Sequence, residues 1–153
     1  MLSYAHGTAA YPLLAETIGA DLEASVARSP DALALVSVHQ DLRFSYAEFN
    51  AAVDALAGGM LGAGLERGDR VGIWSPNRAE WAIVQYATAK LGLILVNINP
   101  SCRTHELSYA LAQSGARWLF AASEYRGSDF TAMVDAVRPE LPDLERVVFF
   151  GQP

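Results

Sequence analysis

Apolar positions along this chain recur with two different spacings, and the alternation between them lays out its elements. From Thr17 to Arg28, Ile18, Leu22 and Val26 fall four apart, which predicts an amphipathic helix ended by Ser29-Pro30. Leu33–Ser37 and Leu42–Phe44 are short apolar runs around His39-Gln40-Asp41 and predict a β-hairpin. Ser45-Tyr46-Ala47-Glu48 is a capping box, and the helix it opens carries Phe49, Val53, Leu56 and Met60 on one stripe. Gly62 and Gly64 supply a left-handed stop.

A repeating unit begins at Asp69. Arg70–Trp74 reads as a strand, and Asn77-Arg78-Ala79-Glu80 as a second capping box, opening a helix that runs to Leu91 and is apolar nearly all round. Gly92 closes it, and Leu93–Asn97 is the next strand. Thr104 is expected to cap a helix carrying Leu107, Ala110 and Leu111 that stops at Ser114-Gly115. Arg117–Ala121 is a strand, Ser128 opens a helix with Phe130, Met133, Val134 and Val137, and Pro139 and Pro142 break it before a last strand, Arg146–Phe150.

Strand, helix, strand at intervals of roughly 25 residues is the rhythm of right-handed βαβ units. The strands are apolar without alternation, as expected of strands covered on both faces. The fold class is therefore α/β: a parallel βαβ sheet over 69–153, preceded by a helix, hairpin and capped helix over 17–68 and an irregular arm over 1–16.

Composition narrows the chemistry. The 153 residues carry a net charge of -6, which argues against nucleic acid and anionic membrane surfaces as partners. Lys90 is the only lysine, so no Gly-Lys-Ser/Thr phosphate loop is present. The single cysteine, Cys102, excludes an intrachain disulfide and suits a reducing, cytoplasmic setting. The first residues show no signal-peptide pattern, and no apolar run has the length of a membrane helix.

Gly62-Ala63-Gly64 follows a helix and precedes a strand, the reverse of a dinucleotide fingerprint. His6, His39, His105 and Cys102 show no convergence into a metal or nucleophile site, so no catalytic or metal residue is assigned. Ligands of open parallel sheets bind outside the carboxyl ends of the strands, which here are Trp74–Asn77, Asn97–Pro100 and Ala122–Glu124. Asn97 and Asn99 are read as strand-end residues that bond local backbone, with Pro100 ending the pairing. Arg126, beside the helix opened by Ser128, reads first as a solvated surface arginine and is otherwise the one candidate phosphate contact.

Taken together, Phe44–Phe49, Gly68–Asn77, Trp81, Ala89–Pro100 and Arg103–Leu107 resemble, in order and spacing, the acyl-CoA synthetases of the adenylate-forming (AMP-binding) superfamily, closest to their medium- and long-chain fatty acyl branch. The resemblance runs from about Thr17 to the end of the chain. It implies an ATP-dependent fatty acyl-CoA ligase using ATP, Mg2+ and coenzyme A, with Arg126 as a coenzyme A phosphate contact and a homodimer as one assembly of the complete enzyme. The phosphate loop, the adenine-binding segment, the ribose-binding aspartate and the catalytic lysine of that family have no counterpart here. The resemblance therefore implies an N-terminal portion, inactive alone and binding none of these cofactors tightly.

It also implies that 17–68 belongs to a second sheet built mostly from residues beyond this chain. Leu33, Leu35, Val36, Phe44, Phe49, Val53 and Leu56 would then lack partners, leaving the hairpin and first helices loosely attached. The alternative is a free-standing α/β module that binds a nucleotide or a protein without catalysis.

Overall fold

The computed structural model describes Gly7 and residues 14–151. Of the expected arm, only Gly7 and residues 14–16 fall among these, and they carry no regular structure. The elements are α1 (Ile18–Arg28), β1 (Leu33–Ser37), β2 (Leu42–Ser45), α2 (Tyr46–Gly62), β3 (Arg70–Trp74), α3 (Ala79–Leu91), β4 (Ile94–Ile98), α4 (Thr104–Ser114), β5 (Trp118–Ala122), β6 (Glu124–Tyr125), β7 (Ser128–Asp129), α5 (Phe130–Val137) and β8 (Arg146–Phe150). β3, β4, β5 and β8 form one parallel sheet in the order β4-β3-β5-β8. The hairpin β1–β2 is a separate antiparallel pair.

The central strands are buried on both faces, as their unbroken apolar runs require. Val71, Ile73, Trp118 and Phe120 face a core shared with α2 and α3, whereas Trp74, Leu119 and Ala121 face α4 and α5. Gly72 lies on the second face, where a Cβ would come within 3.1 Å of Leu119 and 3.3 Å of Leu111. Its lack of a side chain lets α4 settle directly on the sheet. Trp74 stacks on Phe130 of α5, rings parallel to within 3° and centroids 3.5 Å apart. The indole N–H donates to the Asn99 carbonyl at 3.1 Å, so the polar end of this buried ring is also satisfied.

Packing corrects the expected looseness of the first segment. Phe49 and Val53 are buried, and Leu35, Phe44 and Leu56 pack against the same core. Phe49 meets Tyr86 of α3 edge-on at 5.3 Å. Of the seven side chains, only Leu33 and Val36 are exposed. Helix α2 thus finds its partner in α3, within the chain. Lys90 adds a polar tie: its ammonium reaches Glu23 of α1 at 2.9 Å, and Asp54 and Asn50 of α2 at 2.7 and 2.9 Å. Partial burial lowers its affinity for a proton, but the two carboxylates outweigh that and hold its pKa above the ordinary lysine value.

Three helix starts differ from the sequence reading. Asn77 caps nothing; the N-cap of α3 is Arg78, without a side-chain cap bond of its own. Thr104 is the first residue of α4 rather than its cap, and Glu106 accepts the Arg103 N–H at 2.7 Å. Ser128 sits in β7, and Asp129 caps α5 by accepting the Ala132 N–H at 2.9 Å. Strands β4 and β5 each begin one residue later than expected.

Truncating Phe130 to alanine removes one ring of the stacked pair and leaves a cavity between α5 and the sheet. A loss of about 3–5 kcal/mol is expected, read as a lowered midpoint in urea denaturation. Replacing Lys90 by methionine is expected to speed amide exchange in α1 more than in β3. Because the folded pKa of Lys90 is raised, its stabilisation is complete below the ordinary lysine value and drains only as pH rises through the raised one. The difference between K90M and the parent in α1 exchange should therefore persist at neutral pH and shrink in strong alkali.

Candidate site at the carboxyl ends of the strands

The carboxyl ends of β3, β4 and β5 open on a shallow cleft of about 440 Å³ lined by His39, Pro76, Asn77, Pro100 and Tyr125. The walls come from the β1–β2 tip, the turns after β3 and β4, and β6. Asn99 Oδ1 accepts the Ser101 N–H at 2.9 Å and its own carbonyl accepts from Trp74, so Asn99 builds the turn that carries Pro100. That is the local backbone role expected of it. Asn97 is exposed on β4, opposite Ile73 in the register.

His39 reaches the cleft from the hairpin tip, a single 3₁₀ turn over Val38–Gln40 closed by Asp41 in the left-handed region. Gln40 docks that tip. Its Oε1 accepts the Ala79 N–H at 2.8 Å, supplying the cap that α3 lacks locally, and its Nε2 donates to Glu80 at 2.8 Å. Arg78 pairs with the same carboxylate at 2.9 Å. Burial alone would push the Glu80 carboxyl up, but the Arg78 guanidinium and Gln40 amide more than offset it and hold the group below its usual range.

Ser37 Oγ lies 3.4 Å from His39 Nδ1, a long contact for a serine–histidine pair. The Ser37 hydroxyl donates instead to Gln40 Oε1 at 2.6 Å, so its proton is committed elsewhere and it is not activated as a nucleophile.

Arg126 occupies the tip of the β6–β7 hairpin. Both turn residues, Arg126 and Gly127, have positive φ, at 47° and 75°, the pattern of a two-residue hairpin turn. The guanidinium is exposed and lies 5.2 Å from the Tyr125 ring centroid. The start of α5 beside it is already capped by the Asp129 carboxylate.

Lys90 is remote in role, held among three helices by its carboxylates. Cys102 is a half-buried free thiol packed on the second core, and His105 is exposed. No three His, Cys, Asp or Glu side chains converge on a metal position among the described residues. No helix among them is long and apolar enough to cross a membrane. Neither Gln40 nor the guanidinium of Arg103, which donates to Ser128 Oγ, was singled out from the sequence. Gln40 acts 39 positions away from the amide it caps, a distance no local pattern reveals.

Residues 22–151 match the family model described as AMP-binding enzyme. The chain is 37% identical over 159 residues to the medium-chain acyl-CoA ligase ACSF2, mitochondrial, of Danio rerio, covering 95% of this chain and 26% of that protein. The crystal structure of the N-terminal domain of FACL13 from Mycobacterium tuberculosis superposes with a TM-score of 0.80 at 28% identity, over 88% of this chain and 34% of that one. A long-chain-fatty-acid-CoA ligase (FadD1) from Archaeoglobus fulgidus shares the fold with a TM-score of 0.84 at 22% identity, over 99% of this chain and 31% of that one. The chain spans about a quarter of the length of the curated relatives it matches. Its parallel sheet, its strand-end cleft and the family match over nearly all described residues lead to one statement: this chain belongs to the AMP-binding enzyme family and corresponds to the N-terminal part of its acyl-CoA ligases.

Proposed function

We propose that this chain is the N-terminal portion of an ATP-dependent fatty acyl-CoA ligase and that it is inactive alone. The observation that carries the reading is the family match across 22–151 in a chain that covers only 26% of its acyl-CoA ligase relative. In the complete enzyme, a fatty acid carboxylate oxygen attacks the α-phosphorus of ATP and pyrophosphate leaves. The thiolate of coenzyme A then attacks the acyl carbon, and AMP leaves with the bonding pair of the broken C–O bond. Adenylation is needed because a carboxylate is a poor electrophile with no adequate leaving group.

The described residues do not fit ATP and Mg2+. The lone lysine is locked by Glu23 and Asp54, and no acidic or histidine cluster stands at the strand ends. No step of adenylation is therefore assigned to this chain. Coenzyme A fits better: the cleft offers an aromatic ring, two prolines and an asparagine, with the Arg126 guanidinium beside it. Arg126 is proposed as a phosphate contact for that substrate, at the strand ends where parallel sheets take ligands. The segment 17–68 is proposed to join a second sheet in the complete protein, and its exposed Leu33 and Val36 support this.

Pyrophosphate release from ATP and a fatty acid is expected to stay at the buffer level with this chain alone, because its described residues offer no group set for the charge that develops on the α-phosphate and the leaving pyrophosphate. Release above that level would overturn the reading and favour a self-sufficient module. In a full-length relative carrying the equivalent arginine, its replacement by alanine is expected to raise KM for coenzyme A by about three- to tenfold with adenylation unchanged. An unaltered KM retires the assignment.

A further inference from the structure

The two ends of the β1–β2 hairpin are held by different forces. At its root, Ala34, Leu35 and Phe44 pack against the core shared with α2 and α3. The Tyr46 and Ala47 N–H groups also donate there to the carbonyls of Ala32 and Pro30. At its tip no apolar side chain is buried: Val38 is 85% exposed and Leu42 37%, and His39, Asp41 and Arg43 are exposed as well. Ser37 is buried, but its hydroxyl donates to Gln40, within the tip. Among the described residues, the only hydrogen bonds that tie residues 37–43 to anything outside the hairpin are the two made by Gln40, from the Ala79 N–H and to Glu80. A segment held by so few contacts, none of them apolar, is the kind that opens locally while the core stays folded.

Glu80 is itself set by Arg78. Arg78 Nη2 donates to Glu80 Oε1 at 2.9 Å, and Nε donates at 3.3 Å to Oε2, the oxygen that also receives Gln40. The same guanidinium lies 5.8 Å from the Phe150 ring centroid, and a Cβ at Gly151 would come within 3.4 Å of its Nη2. Arg78 therefore reaches from the end of β8 to the carboxylate on which the hairpin tip docks. Its own side chain makes no hydrogen bond to the hairpin. β8 is paired on one side only, with β5, so its end is tied by one ladder rather than two.

We propose that the hairpin tip is a movable wall of the strand-end cleft: Gln40 latches it to α3, the apolar root is its hinge, and Arg78 is a positioning residue that couples the latch to the end of β8. With the latch closed, His39 lines the cleft together with Asn77 and Tyr125. With it open, the tip swings about its root and the cleft loses that wall. The Ala79 N–H, which has no local side-chain cap, is then left to water. A displacement of Arg78 at the end of β8 turns the Glu80 carboxylate away from Gln40 and reaches the cleft as release of the tip, whichever ligand the cleft takes.

The test is paramagnetic NMR on this chain carrying C102A and a nitroxide at V38C. The label is expected to broaden the amide signals of Asn77 and Tyr125, which share the cleft with His39. Q40A is expected to cut that broadening by about half or more and to speed exchange of the Ala79 amide about fivefold or more. The amides of β5 should exchange at the parental rate. R78M should cut the broadening at Tyr125 in the same direction, although it removes no bond of the hairpin. Parental broadening in Q40A would overturn the latch. Broadening that falls in Q40A but not in R78M, with only the first turn of α3 exchanging faster in R78M, would show that Arg78 merely steadies that turn, and would overturn the coupling. Faster exchange throughout β5 in Q40A would mean that tip and sheet open together, and would overturn the hinge.

Discussion

β3 is the strand on which the rest depends. It pairs with β4 on one side and β5 on the other, and its side chains are buried on both faces apart from Arg70. A strand in that position has no solvent-facing row, so both layers of helices are obligatory. α2 and α3 must cover Val71 and Ile73, and α4 and α5 must cover Gly72 and Trp74. The two layers are matched differently. One side closes by letting a helix approach a glycine, and the other by filling with aromatic and β-branched side chains. The carboxyl ends of three strands are then level, and the turns that leave them create the cleft as a by-product of sheet topology.

Much of this was readable in the sequence because it is local. The helical spacing of Phe49, Val53, Ala57 and Met60 is set by the helix itself, and the unbroken apolar run Trp118–Ala122 by burial on both faces. The Ser45–Glu48 capping box forms as the spacing requires, with the Glu48 carboxylate accepting the Ser45 N–H at 2.8 Å. That bond holds the Glu48 carboxyl below its ordinary value. What escaped is what depends on residues far apart in the chain. Asn77 and Glu80 have capping-box spacing, yet Gln40 arrives from the hairpin and takes the Ala79 amide, so the local solution is displaced by a tertiary one. The β6–β7 hairpin escaped because its strands are two residues long and its turn places an arginine at positive φ, where composition gives no warning.

The candidate site was legible in outline only. Its location follows from a general rule about parallel sheets, and Arg126 stands where that rule directs. The other walls do not follow from it. His39 lies on a hairpin outside the βαβ repeat, and it reaches the cleft only because Gln40 ties that hairpin to α3. Arg103 reads in sequence as the start of a helix, and only the fold brings its side chain across to Ser128. Binding surfaces assembled from several loops are the part of a protein that periodicity describes least.

The opposite end of the sheet carries a feature with mechanical meaning. Arg117, at the amino end of β5, joins Asp69 ahead of β3 to Glu145 ahead of β8, and its guanidinium pKa is raised well above the ordinary value, chiefly by Glu145. Its N–H also donates to the Arg70 carbonyl, and its carbonyl accepts the Glu145 N–H. Three of the four strands are thus tied at their amino ends by one side chain, in addition to the backbone ladders that run on to their tips. One side chain clasps segments that lie 48 and 28 positions from it in sequence, at the margin opposite the turns that carry the candidate cleft.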